Sequence, residues 1–413
     1  MLSAKKYLCC FQVFPLLIFL FVSACGTLSK QTGGTTQLNL NRKDVIKPCT
    51  QQFHPQTTLK HTVTQAVAQR LYFLSGVHLY ALNAGNGALD WCLLISNAQS
   101  SLSQEAAVFG AFSPAPPAPP DGLVGLAVQK NRVFVTTLNS STYAFTADSD
   151  KMIWQHNTGS VNGIPTVSGD TIYVPSGTIY ALSTQDGSER WSYPTQDVVT
   201  SMPVIVNDTL YTGSYGNAVY ALDTASGKAR WVYHTDGRVY VAPSVDHGVV
   251  YAGIGNDGPR LFAIDAQSGK LIWHTNTFID SMTQLVVADG LLYTSQNNSL
   301  VGLNPQNGEV IWHYNGIHGA TLLANGHVLY ATSDAGDLYA FETQTHTLIW
   351  HEKLRTLAAG EATRMKLIGD ELYVGFNDLG QNQFASIHAI NTQVGSEDWS
   401  TKVNWNVSTL DIA

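Results

Sequence analysis

Between Ser201 and Thr235 the apolar residues fall into four short runs: Ser201–Val206, Thr209–Thr212, Ala218–Asp223 and Ala229–His234. Each run holds four to six residues and is rich in Val, Ile, Tyr and Thr, which predicts strands, since a stable helix needs more length. Asn207-Asp208 and Ser214–Asn217 separate the first three runs, and both stretches are made of residues that accept turn geometry. The pattern returns along the chain. A twelve-residue unit, third run through the start of the fourth, recurs at Tyr80–Trp91, Tyr143–Trp154, Tyr180–Trp191, Tyr220–Trp231, Phe262–Trp273, Val301–Trp312, Tyr339–Trp350 and His388–Trp399. Successive tryptophans from Trp154 to Trp350 lie 37, 40, 42, 39 and 38 residues apart. A period near forty with four strands inside it predicts a radial array, because one unit cannot hide both of its faces from water and stacked units can.

The repeated tryptophan opens the fourth strand after a turn that carries Gly187, Gly227, Gly269 or Gly308 in four copies. The glycine predicts a turn residue with φ > 0. The indole predicts a wedge between blades, its N–H bonded to backbone. The unit Tyr-Ala-Leu-Asp-x-x-x-Gly-x-x-x-Trp resembles the repeat of the pyrroloquinoline-quinone-type propellers, with their tryptophan docking motif, over about residues 60–403. The resemblance implies an all-β chain: an eight-bladed β-propeller of four-stranded antiparallel blades around a central channel. Thr146–Asp150 and Thr345–Thr347 depart from the pattern by lacking the turn glycine.

Upstream of the repeats, residues 1–25 read as a targeting segment: Lys5 and Lys6, an apolar run Tyr7–Val22, then Val22-Ser23-Ala24-Cys25. That tetrapeptide resembles a lipobox, in which Cys25 carries lipid; a plain cleavage site and an uncleaved anchor are the alternatives. Gly26–Asn41 is poor in large apolar residues and predicts a flexible tether, so residues 26–59 are expected to be tether and N-terminal segment, 60–405 the propeller, and 406–413 a tail or closing strand. Either Thr36–Asn41 or Asn406–Ile412 is a candidate to complete the ring. With Cys9 and Cys10 inside the targeting segment, Cys49 and Cys92 are left, and an oxidising compartment favours a bridge between them if their Cα atoms come within reach. Formal net charge is −8, and charged residues make up 13% of the chain with no basic stripe, which excludes nucleic acid as a partner class.

Candidate chemistry is sparse. His274, His313 and His351 follow the repeated tryptophan directly, and His156 and His234 lie on the same strands; equivalent positions in successive blades are too far apart for one ion, so these are surface residues. Asp257, Asp334 and Asp378 sit in polar loops between second and third strands, where they either converge on a cation or polar ligand at the channel mouth or serve as turn residues. Ser113–Pro120 is a proline-rich piece of a long insertion after Trp91 and favours extended structure outside any sheet. The quinone-dependent enzymes of the resembled family carry an adjacent cysteine pair and a calcium ion on Glu, Asn and Asp; here the adjacent pair is Cys9-Cys10, ahead of Cys25. The expected function is a non-catalytic, lipid-anchored scaffold on the extracytoplasmic side of the cell envelope, binding a protein partner through propeller loops and needing no cofactor. In this it is similar to the propeller lipoproteins of the outer-membrane barrel-assembly machinery. A dehydrogenase using pyrroloquinoline quinone with calcium, and a sensor binding a small molecule or glycan, are the alternatives.

Overall fold

Each of the four predicted runs in Ser201–Thr235 becomes a strand, in the order inner to outer: Val204–Val206, Thr209–Ser214, Ala218–Asp223 and Ala229–His234. The inner strand is shorter than its apolar run, because Ser201–Pro203 belong to the connection from the previous blade. The structure, a computed structural model, describes residues 45–49, 56–59, 69–96, 123–138, 141–149, 151–161, 163–254, 260–275, 284–354, 362–377, 385–403 and 407–412. Its described strands form eight antiparallel sheets, six of four strands and two of four with a fifth added at the outer edge, paired in radial order. The chain is an eight-bladed β-propeller. Numbered from the first complete repeat, blade 4 is the one just described and blade 5 follows with Ser244–Asp246, Val249–Ile254, Arg260–Asp265 and Leu271–Thr275.

The core is distributed. Eight clusters of buried side chains each join residues of two neighbouring blades: one packs Tyr211, Val219 and Ala221 of blade 4 against Val250, Ile264 and Phe262 of blade 5, and another packs Leu71 and Tyr80 of blade 1 against Tyr373 and Trp399 of blade 8. The ring is therefore closed by the same kind of apolar contact that builds it.

The repeat can now be read position by position. Its second residue is paired with the tryptophan, and it is small: Ala81, Ala144, Ala181, Ala221, Ala263, Gly302, Ala340 and Ala389. The register slips at the next pair in every blade, leaving one unpaired residue just before each tryptophan, a β-bulge that turns the indole toward the neighbouring blade. Six indoles then donate across the interface to the next blade's turn: Trp154 to Thr184 O, Trp191 to Thr224 O, Trp231 to Ala266 O, Trp273 to Pro305 O, Trp350 to Thr392 O and Trp399 to Ala84 O, at 2.7–3.2 Å. The fourth residue caps the turn, as where the Asp223 carboxylate accepts from the Ser226 N–H and hydroxyl.

The turn glycine does more than adopt φ > 0. At Gly269, with φ +70°, a Cβ would lie 2.6 Å from Cγ of Trp231 of the previous blade. Gly187, Gly227, Gly308 and Gly395 face Trp154, Trp191, Trp273 and Trp350 in the same way. The two turns without glycine are those that Trp91 and Trp312 meet. Trp91 Nε1 is buried without an acceptor, while Ala147 O, in the turn it faces, accepts from the Tyr72 hydroxyl at 2.5 Å. His346 takes the glycine position before Trp312 at φ +58° and stacks on the indole, centroids 5.3 Å apart.

Both flanks of the repeat region join the sheets: the C-terminal one as the closing strand that was one of its two expected roles, the N-terminal one as edge strands. Val407–Ile412 is the inner strand of blade 1, paired with Arg70–Ser75, so the C-terminal candidate closes the ring and the sheet system runs past residue 405. Asp411 fixes that strand on both sides, accepting from Val128 N–H of blade 2 at 2.8 Å and from Lys366 of blade 8 at 2.7 Å. Upstream, Val45–Pro48 and Gln56–Leu59, expected to belong to the tether segment, are strands added outside blades 1 and 8. Backbone pairing at a sheet edge asks little of side-chain composition, which is why hydrophobic patterning misses them. Cys49 and Cys92 form a disulfide with Cα atoms 5.5 Å apart, at the end of the first of these strands.

Blade 8 breaks an ion-pair pattern. Arg190 pairs with Asp170, Arg230 with Asp223 and Asp90 with Arg70 near the bulge. Asp398 takes the bulge position in blade 8 and stands beside Glu371. Burial, then the shared hydrogen bond with Asp398 and the charges of Asp398 and Asp370, push the Glu371 carboxyl up to about 8.

Candidate partner-binding face

The strand order gives the ring two different ends. At one end the first turn of each blade bonds its own third-to-outer turn, as where Thr224 N–H donates to Asp208 O and Thr343 N–H to His327 O. At the other end, loops between second and third strands hold the connections between blades: Tyr215 N–H donates to Val198 O, Val239 N–H to Ser214 O, and Asp334 N–H to His318 O. The first end is nearly periodic. Variation is concentrated at the second, where loops on a rigid ring are free to differ.

Blades 3, 4 and 5 build that end from one template. Thr195 and Thr235 start successive connections, each hydroxyl donating two residues ahead, to Asp197 O and Gly237 O at 2.7 Å. Val199 and Val239 are plugs with 0% exposure, and Pro203 and Pro243 end the connections. Val239 is held by a bridge to Ile254 and fills space left by Gly213, whose hypothetical Cβ would overlap it. With Val239 pinned inward, its neighbours Arg238 and Tyr240 face outward: Arg238 is exposed and Tyr240 half-buried. Tyr215 completes the group, its ring 4.8 Å from that of Tyr240 in an edge contact, with Arg238 Cζ 5.6 Å above its centroid. Exposed Asp236 pairs with Arg260 beside them. On the blade 3 side, Tyr220 OH accepts from Gln196 N–H at 3.3 Å and Tyr193 packs edge-on against it; burial, then the neighbouring Tyr220, raise the Tyr193 phenol.

This group has the composition of an interface anchor: rigid aromatic area with one stacked guanidinium, pre-positioned by buried backbone. The template connection has Val198 and Thr200 where this one has Arg238 and Tyr240. The signal lies in the alignment of Thr195–Pro203 with Thr235–Pro243, where the substitution falls on either side of the shared valine.

The sequence candidates fare differently. Asp334 is half of a pair with His318, Oδ2 to Nδ1 2.8 Å, tying a blade connection to its neighbouring loop. Asp257 and Asp378 lie outside the described residues. Among the described residues no group of three or more His, Cys, Asp or Glu side chains has the spacing of a metal site. His274, His313 and His351 are exposed on outer strands; His351 stacks on Tyr339 at 4.4 Å and bonds Asp337 at 2.9 Å. The two described cysteines lie at the outer edge of blade 1 in one bridge spanning 43 residues, so they do not supply the adjacent cysteine pair of a quinone site.

Comparison with known proteins gives the same architecture. The BamB structure from Moraxella catarrhalis aligns over 87% of this chain and 98% of its own, at 18% identity and TM-score 0.56. The quinohemoprotein alcohol dehydrogenase of Comamonas testosteroni aligns over 69% of this chain and 68% of its own, at 13% identity and TM-score 0.55. The computationally designed Ika8 protein covers 67% of this chain and 86% of its own, at 13% identity and TM-score 0.57. At such identities these likenesses speak to fold alone. No curated protein sequence matches the chain. The family described as "Outer membrane protein assembly factor BamB" matches residues 49–193, 177–317 and 263–409, which together span the ring from the disulfide to the closing strand. The chain belongs to that family.

Proposed function

We propose that this protein is a non-catalytic scaffold of the cell envelope, held to a membrane through lipid on Cys25, that binds a protein partner at the loop end of blades 4 and 5. The observation that carries the reading is the Tyr215–Arg238–Tyr240 group, an exposed guanidinium over the Tyr215 ring, which meets Tyr240 edge-on, with Val239 buried between Arg238 and Tyr240. Membership of a family described as an assembly factor supports the same role. A partner laying apolar surface on the two rings, with polar groups at the rim beside the exposed Arg238, would bury the group in the manner of an interface anchor.

A photo-crosslinking residue at position 240, with a second at Ser226 on the opposite end of blade 4, tests the site in membranes. The scaffold reading expects one specific adduct from position 240, none from 226, and loss of the adduct in Arg238→Glu with the melting temperature unchanged. Equal adducts from both positions would refute it. Radiolabelled palmitate incorporated into the wild type and not into Cys25→Ser tests the anchor. The fold likeness to an alcohol dehydrogenase favours one competing reading, and titration of the chain with pyrroloquinoline quinone and calcium discriminates it: a ligand at a hundred times its Kd raises stability by about 2.7 kcal/mol, and such a shift would replace scaffold with enzyme.

A further inference from the structure

The ring is closed from inside by Val407–Ile412 in blade 1, and it is also strapped from outside. Val45–Pro48 pairs antiparallel with the outer strand of blade 1, Leu89–Ser96; with six residues intervening after Cys49, Gln56–Leu59 pairs antiparallel with the outer strand of blade 8, Glu397–Val403. One short segment therefore bridges the two blades where the chain's first and last repeats meet. We propose that the strands Val45–Pro48 and Gln56–Leu59 form a redox-controlled outer clasp, locked across this seam by the Cys49–Cys92 disulfide, with Gln56–Leu59 released from blade 8 by its reduction.

The outer strands of these two blades differ from the rest in the way a covered edge requires. In blades 5, 6 and 7 the residue after the tryptophan is an exposed histidine, His274, His313 or His351. In blade 1 the corresponding stretch is Cys92, Leu93 and Ile95, all buried; in blade 8 Trp399, Thr401 and Val403 are no more than 2% exposed. His388 and Glu397, 6% and 5% exposed and 3.5 Å apart, lie within the same covered blade. Such a strand edge, uncovered, is open to pairing with another chain.

Each strand of the strap is four residues long and lies at a sheet edge, where it pairs with a single neighbour. Downstream of Gln56–Leu59 the next described strand is Arg70–Ser75 of blade 1; upstream lie the Cys49–Cys92 bridge and Val45–Pro48. With the disulfide intact the strand is held at high effective concentration beside blade 8; with it broken the upstream tie rests on the backbone pairing of Val45–Pro48. The opening step is thiol–disulfide exchange with a dithiol: one thiolate attacks a sulfur of the bridge, a mixed disulfide forms, and the second thiolate displaces the remaining cysteine. Two electrons and two protons pass to Cys49 and Cys92, and the reductant leaves as its own disulfide. The clasp is a property of the folded chain and does not depend on the partner-binding role.

Hydrogen exchange read by mass spectrometry tests this on the signal-free full chain, folded oxidised and then treated with a dithiol. The expected result is faster exchange, by about tenfold or more, in peptides covering 45–48 and 397–403, with 218–223 and 229–234 unchanged, the signature of a local opening. Unchanged exchange at 397–403 would overturn the proposal, and so would equal acceleration in every blade, which marks a general stabilising bridge. Thr58→Pro separates strand from bridge. In the oxidised protein it should release 397–403 while 45–48 stays protected; full protection of 397–403 in that variant would equally overturn it.

Discussion

The turn glycine and the tryptophan of the previous blade should be energetically one unit, and Gly269 with Trp231 is the pair on which to measure it. Trp231 is half-buried, with a 2.9 Å bond from Nε1 to Ala266 O and Tyr211 packed 5.9 Å away. Burying an indole fully is worth 3–5 kcal/mol against Ala, so Trp231→Ala should cost about 3 kcal/mol, roughly 1 of it from the hydrogen bond. Gly269→Ala carries two penalties. An L-residue at φ +70° costs about 1 kcal/mol, and a Cβ 2.6 Å from the indole forces overpacking worth about 1–3 kcal/mol. The second penalty vanishes once the indole is gone. The double variant should therefore lose about 4 kcal/mol where simple addition gives about 5–7, a coupling of roughly 1–3 kcal/mol. Guanidinium unfolding followed by far-ultraviolet circular dichroism, at constant m-value, reads all four corners of the cycle. Additivity within about 0.5 kcal/mol would refute the claim that the glycine exists to admit its neighbour's indole.

Glu371 predicts a pH signature. Its folded pKa of about 8 lies above the ordinary 4.5, so the native state favours the protonated carboxyl; the penalty is absent below 4.5, grows as pH rises and is complete above 8. Glu371→Gln should thus gain about 1–2 kcal/mol at pH 8.5, discounted for partial solvent access, and nothing at pH 4.5; thermal melts at the two pH values check it. Cys49→Ser removes a bridge spanning 43 residues and should show, in oxidising buffer, the faster exchange at 397–403 that a dithiol produces in the wild type, with the difference from wild type disappearing under a dithiol. The unbonded Trp91 predicts that Trp91→Phe is close to neutral, whereas Trp399→Phe, which removes the 3.0 Å bond to Ala84 O, loses about 1 kcal/mol in chemical denaturation.

What the sequence displays is whatever repeats. The strands of each blade, the tryptophan wedge and the eightfold ring are written in local spacing, because every blade solves the same packing problem with the same residues. The second task of the glycines was not legible: the atom they avoid belongs to a residue about forty positions upstream. Closure was legible only as a choice between two candidate segments, of which Asn406–Ile412 supplies the strand. Val407–Ile412 and Gln56–Leu59 are short and compositionally unremarkable, and their strand partners, Arg70–Ser75 and Glu397–Val403, are more than three hundred residues away, so nothing nearby marks them. At the candidate site, Asp334 looked like a ligand and is committed to His318. Arg238 and Tyr240 stood in plain view but acquire meaning only when Val239 is known to be buried between them.

Because the inner strand of blade 1 is supplied by residues 407–412, the ring has an order of assembly. Blades 2 to 7 draw all four strands from consecutive stretches of chain and can form as those stretches emerge. Blade 1 has its other three core strands by residue 96 but must wait for residue 412, roughly 15–70 s later at ordinary rates of synthesis. During that interval the edge of Arg70–Ser75 is a vacant template for any passing strand. The first blade made is the last completed, and a nascent chain of this protein is open to mispairing at its own beginning until its final strand arrives.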